Sequence, residues 1–229
     1  MSKTIGILGG MGSYATADFF KRILDQFDVQ KEWEYPKVVI YNNPKLPSRT
    51  RAVLYDEESP ELGIVEGCLK LEQAGADFIV IPCNSAHAWY DAVAAKVNLP
   101  VLSITKIVKD YVVANHPEIK KVGVLGGEVL IHRKLYDKEF AGSGVEVVLA
   151  DEECQALVRT IIDDIKHNKI TSETKRKVEH VAAYFMQKNV QGIILGCTEL
   201  PLIMNDATFP IPVFDSSTLL AKKAADLSR

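Results

Sequence analysis

Two stretches of this chain return later in it at almost the same spacing, and that recurrence narrows the fold more than any single motif. Ile5-Gly6-Ile7-Leu8-Gly9-Gly10 comes back as Val122-Gly123-Val124-Leu125-Gly126-Gly127, 117 positions on. The apolar run Phe78-Ile79-Val80-Ile81 delivers Pro82-Cys83-Asn84-Ser85. Gly192-Ile193-Ile194-Leu195 likewise delivers Gly196-Cys197-Thr198-Glu199, and the two cysteines are 114 positions apart. Two echoes with so nearly one offset favour an internal duplication over coincidence. Apolar runs of four to six residues, alternating with helical patterns, are the grammar of parallel sheets covered on both faces. The expectation is an α/β protein of two pseudo-symmetric domains, each a parallel sheet flanked by helices, with the active site in the cleft between them.

The elements follow from period and punctuation. Strands are predicted at 4–8, 38–41, 78–81 and 101–103 in the first half, with helices at 14–26, 60–73 and 86–96. Residues 42–50 read as a loop that Pro44 and Pro47 keep out of any helix. A helix at 105–114 leads into the second half, with strands at 122–125, 145–149 and 192–195 and helices at 152–166 and 172–187. The last pieces, a strand at 213–215 and a helix at 216–227, are expected to pack back on the first half. The domains are then 1–100 plus 212–229, and 101–211, with no low-complexity linker between them.

Composition narrows the function classes. The 229 residues are long enough for one large or two small cores, and the net charge of −3 gives no electrostatic case for nucleic acid or an anionic membrane. No apolar run approaches the ~20 residues of a membrane span. Met1-Ser2-Lys3-Thr4-Ile5 leads directly into a strand pattern with no signal-peptide core, so a cytoplasmic chain is expected. The four cysteines, Cys68, Cys83, Cys154 and Cys197, form no CxxC pair, which argues against a zinc or thioredoxin-type site. Cys68 and Cys154 fall inside helical patterns and read as small buried hydrophobes.

Ligands of open α/β sheets bind beyond the carboxyl ends of the strands. Four segments sit at such ends: 9–12, 42–50, 83–85 and 197–199. If the halves are related by a pseudo-two-fold axis, Cys83 and Cys197 approach the cleft from opposite sides. Inverting a carbon that bears an acidic hydrogen needs a base on one face and a proton donor on the other, roles that a thiolate and a thiol can exchange. A free thiol titrates near ~8.5, and both cysteines precede predicted helix starts, where the helix dipole favours the anion. Backbone N–H groups at 10–12, Met11 and Gly12 among them, and the side chains of Asn84, Ser85 and Thr198 are suitable donors to a substrate carboxylate and an enolate-like state. Arg49, in an otherwise uncharged stretch of the Pro-framed loop, could clamp a carboxylate bidentately. Lys166 by itself reads as a surface lysine, and His87 as a satisfied helix histidine. Nucleotide binding is the competing motif. Gly10-Met11-Gly12-Ser13-Tyr14-Ala15 fits GxGxxA, but Asn42-Asn43 stand where an acidic ribose ligand belongs, and no GKS or GKT follows the glycines.

Taken together, Ile5-Gly6-Ile7-Leu8-Gly9-Gly10-Met11-Gly12, Asn42-Asn43-Pro44 with Pro47-Ser48-Arg49-Thr50, Pro82-Cys83-Asn84-Ser85-Ala86-His87 and Gly196-Cys197-Thr198-Glu199 resemble the aspartate/glutamate racemase superfamily, in its aspartate racemase branch. Glutamate racemases usually carry Cys-Thr-His at the second cysteine and an Asp-Ser-Gly opening, which this chain lacks. The resemblance spans essentially the whole chain. It implies racemisation of an acidic amino acid, aspartate before glutamate, with Cys83 and Cys197 as the acid/base pair and neither metal nor other cofactor. It further implies that Arg49 and Lys166 bind substrate carboxylate, and that the chain forms a homodimer. Ser85 replaces the usual Thr and keeps the hydroxyl. Gly126-Gly127-Glu128-Val129 replaces a Thr-rich substrate loop, which leaves the substrate itself open. Two other readings stay open as well: an isomerase or decarboxylase of small dicarboxylates on the same fold, and a non-catalytic amino-acid-binding protein.

Overall fold

The computed structural model describes residues 2–229. The chain divides into two compact units, Met1–Ile107 with Ser217–Arg229, and Val108–Ser216.

The first unit is built on a parallel sheet of β1 (Ile5–Gly9), β2 (Val38–Asn42), β3 (Phe78–Val80) and β4 (Val101–Leu102), in the order β2-β1-β3-β4. Ile5 pairs with Val38 on one side and Phe78 on the other, so β1 is central and buried along its whole length. Successive side chains of a strand point to opposite faces, and the cores divide accordingly. Ile5 and Ile7 pack with Phe19 and Ile23 of α1 (Ser13–Leu24) and with Leu220, Ala221 and Ala224 of α10 (Ser216–Ser228). Leu8 faces the other way, onto Ile64, Cys68 and Leu71 of α3 (Glu61–Gln73). Each such side chain contributes on the order of 1.5–3 kcal/mol by leaving water.

The second unit repeats the design. Its strands are β5 (Lys121–Gly126), β6 (Glu146–Leu149), β7 (Gly192–Gly196) and β8 (Val213–Asp215), all parallel, in the order β6-β5-β7-β8. The order matches that of the first sheet strand for strand, with β5 in the place of β1 and β7 in the place of β3. The echoed sequences therefore occupy equivalent positions. Two long helices, α8 (Glu152–Lys166) and α9 (Ser172–Gln187), cover this sheet, burying Val158, Ile161, Val181 and Phe185. Asp151 caps α8 by accepting from the Cys154 N–H at 3.0 Å, and Thr171 and Thr174 form a capping box at the start of α9.

Several places depart from the sequence reading. The strand at 213–215, expected to pack back on the first half with the last helix, instead pairs with β7 as β8 and closes the edge of the second sheet, and only α10 returns to the first unit. The loop expected over 42–50 gives way to a helix, α2 (Arg49–Leu54), because Ser48 after Pro47 is an N-cap whose hydroxyl accepts from the Arg51 N–H. The helix expected at 86–96 is instead a 3₁₀ segment, Asn84–Trp89, followed by the short α4 (Tyr90–Ala94). The stretch between β5 and β6 holds two short helices without a sequence-based counterpart, α6 (Glu128–His132) and α7 (Leu135–Phe140). The remaining helix, α5 (Ile104–Asn115), carries the chain from the first unit to the second. No helix among the described residues is long and apolar enough to cross a membrane.

Candidate active site

In the first unit the candidate residues gather at the carboxyl ends of β1, β2 and β3. The turn after β1 runs backbone against backbone. Gly10 has φ of +95°, and a Cβ there would stand 2.2 Å from the Asn43 carbonyl carbon. The Gly10 N–H is committed to Thr16 Oγ1 at 3.0 Å, and that hydroxyl donates in turn to the Gly12 carbonyl at 2.8 Å. Of the backbone donors expected at 10–12, Gly10 is therefore spent internally. Met11, Leu46 and Cys83 are buried members of one hydrophobic cluster. Gly12 is the N-cap of α1.

Cys83 follows β3 and is 9% exposed. Its carbonyl accepts from the Ala86 N–H at 3.2 Å and from His87 Nδ1 at 2.9 Å. On its other side, His87 Nε2 accepts from the Ile104 N–H at 3.0 Å. A nitrogen that accepts from an amide carries no proton, so the ring is the neutral Nδ1–H tautomer. Burial, the largest influence, also holds its pKa below the usual histidine value. His87 thus fastens the Cys83 peptide to the start of α5. It also explains the missing first turn of helix, since its side chain competes for the carbonyl that an α-helix would use. Asn84 is buried and Ser85 partly exposed in the same segment. α2 packs against this segment. Arg49 opens α2 with Nη1 donating to the Pro47 carbonyl at 3.2 Å, while its buried Nε has no partner among the described residues.

In the second unit Cys197 comes directly after Gly196, the last residue of β7, whose register partner is Gly126. The helix expected after Cys197 is a single 3₁₀ turn, Leu200–Leu202, so the expected dipole stabilisation of a thiolate is not built here. The local charges act the other way. Cys197 Sγ donates to Glu199 Oε2 at 3.0 Å, and Thr198 Oγ1 donates to the same oxygen at 3.0 Å. Burial first and the Glu199 carboxylate second hold the Cys197 thiol well above its usual pKa, and the Lys166 ammonium opposes them. Lys166, the last residue of α8, is solvent-exposed yet close enough to act on Cys197. The second unit therefore assembles Cys197, Thr198 and Glu199, with the Lys166 charge acting on the thiol.

The sequence motif by itself does not assign Glu199 to the site. The available signal was a carboxylate two positions after a strand-end cysteine, close enough in sequence to fold back on it. Glu128, in the departure from the Thr-rich loop, is held by Arg159 Nη1 and by Gln155 Nε2, each at 3.4 Å from its Oε1. Cys68 and Cys154 are buried, and burial pushes each thiol up to about 12, as suits inert core residues. All four cysteines are free. Among the described residues no group of three or more His, Cys, Asp or Glu side chains is placed to hold a metal ion.

Known proteins match this chain along its length. The family model for Asp/Glu/hydantoin racemases matches residues 8–224. The broad specificity amino-acid racemase RacX of Bacillus subtilis (strain 168) is 33% identical over 223 residues, covering 95% of each chain. Among solved structures, Picrophilus torridus aspartate racemase superposes with a TM-score of 0.85 at 28% identity, covering 99% of this chain and 94% of that one. An aspartate racemase homologue from Pyrococcus horikoshii OT3 gives 0.82 at 26% identity, covering 99% of both.

Proposed function

The chain belongs to the Asp/Glu/hydantoin racemase family, and from that premise we propose that it is a cofactor-independent amino-acid racemase using Cys83 and Cys197 as its two acid/base groups. The observation that carries the reading is positional: in two parallel sheets of the same strand order, a cysteine follows the carboxyl end of each of two equivalent strands, Cys83 after β3 and Cys197 after β7.

The chemistry balances with side chains alone. One thiolate removes the α-proton and becomes a thiol; the other thiol gives its proton to the opposite face and becomes a thiolate. The reverse reaction exchanges the roles. Between these steps the carbon carries negative charge delocalised into its carboxylate, which donors such as Asn84, Ser85, Thr198 and the backbone at Met11 and Gly12 would stabilise.

Aspartate is the proposed preferred substrate, with glutamate possible. Two cations, Arg49 and Lys166, suit the two carboxylates of such a molecule, and the unpartnered Nε of Arg49 is a donor in need of an anionic acceptor. The Bacillus relative's breadth makes neutral and basic amino acids the necessary comparison. The proposal includes a cytoplasmic homodimer, for which sedimentation would give about twice the 25.4 kDa chain mass.

Incubation with L-aspartate in heavy water tests the reaction: the α-proton must exchange with solvent while optical rotation decays to zero. Cys83→Ala and Cys197→Ala should each abolish racemisation while the far-UV circular dichroism stays unchanged. Full activity in either variant would falsify the two-cysteine assignment.

A further inference from the structure

The two proposed thiols do not have equivalent surroundings, and the difference is a carboxylate. We infer that Glu199 is a positioning residue of the reaction: its carboxylate holds the Cys197 thiol proton, which makes Cys197 the donor and Cys83 the base of the resting pair. The inference rests on the two-cysteine reading and adds a direction to it.

The geometry gives the sign. Cys197 Sγ lies 3.0 Å from Glu199 Oε2. A thiol at that distance donates a hydrogen bond, whereas a thiolate would set two negative charges side by side. Thr198 Oγ1 donates to the same oxygen at 3.0 Å, so the carboxylate is held from a second direction. The charged groups that act on Cys197 are Glu199, from its own turn, and Lys166, from the end of α8. Lys166 is exposed, so solvent screens its charge, and the carboxylate outweighs it.

A consequence follows for the catalytic cycle. When Cys83 has taken a proton from substrate and Cys197 has given one, the enzyme is left with a Cys83 thiol and a Cys197 thiolate facing Glu199. Resetting moves one proton from solvent to Cys197 and one from Cys83 to solvent, with no net change in charge. The repulsion from Glu199 favours that reset.

Alkylation by iodoacetamide tests the assignment without requiring turnover, since the thiolate is the nucleophile. The rate at Cys197 would be followed by peptide mass spectrometry from about pH 6 to about pH 10 in a Cys83→Ala background, so that no partner thiol titrates with it. Adding Glu199→Gln, which keeps the shape and removes the charge, should raise the Cys197 rate near neutral pH about tenfold or more, tenfold corresponding to one pH unit of displacement. Glu199→Asp, which keeps the charge, should stay near the parent rate. Cys68 and Cys154 report on the fold, because burial protects both. A rise confined to Cys197 supports the inference, and a rise shared by the two core cysteines overturns it as mere loosening. An unchanged Cys197 rate and pH profile with Glu199→Gln also overturns it. With both cysteines present, Glu199→Gln should move the alkaline limb of the racemisation pH–rate profile to lower pH, and a limb that stays in place counts against the role. If the two-cysteine reading itself fails, the single Cys→Ala variants stay active, an outcome the alkylation rates do not depend on.

Discussion

Arg49 is the residue whose physical state most needs a ligand to explain it. Its Nη1 is occupied by the Pro47 carbonyl, but its buried Nε donor has no partner among the described residues. A buried donor left unpaired costs roughly 1–3 kcal/mol, more when charged, and a substrate carboxylate would remove that cost. Arg49→Ala should therefore lower kcat/KM for aspartate by roughly 10- to 100-fold, the equivalent of one charge-assisted interaction. A neutral amino acid should lose less than about threefold. Arg49→Lys should restore little, because an ammonium cannot reproduce the planar fork. Equal losses on both substrates would remove Arg49 from the side-chain clamp. At this scale the sequence singles out Cys83, Cys197 and Arg49 by position, since each stands beyond a strand end or in a Pro-framed segment, and the structure places them there. It did not make the Cys197–Glu199 hydrogen bond readable. That contact depends on how the turn after β7 closes, and one 3₁₀ turn replaces the expected helix there.

Between elements, His87 ties the segment after β3 to the first turn of α5, and this gives the fold a pH dependence of known sign. Burial keeps His87 neutral, with a folded-state pKa below the usual ~6.5 of the unfolded chain. Between those two values the unfolded state binds more protons, so stability is full above pH ~6.5 and is lost as pH falls through it. The contribution has a slope of up to ~1.4 kcal/mol per pH unit. Urea titrations from about pH 7.5 down to about pH 5.5 should show that slope in the wild type and a flatter one in His87→Gln. Identical slopes would mean that His87 does not carry it. The same histidine shows why the element reading failed here. A 3.6-residue pattern reports which faces are apolar, and it is blind to a side chain taking a backbone carbonyl. By contrast, the sequence predicts α8 and α9 with their observed ends, because strong caps and long amphipathic faces act together. The short α6 and α7 leave no periodic signal in the sequence, because neither exceeds six residues.

Across the whole molecule, the duplication makes two sheets with separate cores, and the C-terminal helix belongs to the core of the N-terminal unit. Leu220, Ala221 and Ala224 pack with Ile5, Ile7, Phe19 and Ile104, and Leu220 is fully buried. The core on one face of the first unit's sheet is thus complete only when the last residues of the chain arrive. Leu220→Ala should remove about 2–5 kcal/mol, the transfer loss plus the cavity it leaves. The two tryptophans, Trp33 and Trp89, both lie in the first unit, so their fluorescence reports on that unit alone. Their denaturation midpoint should fall in the variant, and amides of β1 and β3 should lose protection from hydrogen exchange. Amides of β5 and β7, whose core is formed by Val158, Ile161, Val181, Phe185 and Ile193, should keep most of theirs. Equal loss of protection in both sheets would show that the units unfold as one cooperative block. Unequal loss would mean that the repeat seen in the sequence survives as two separable folding units, each carrying one of the two thiols on which the proposed chemistry depends.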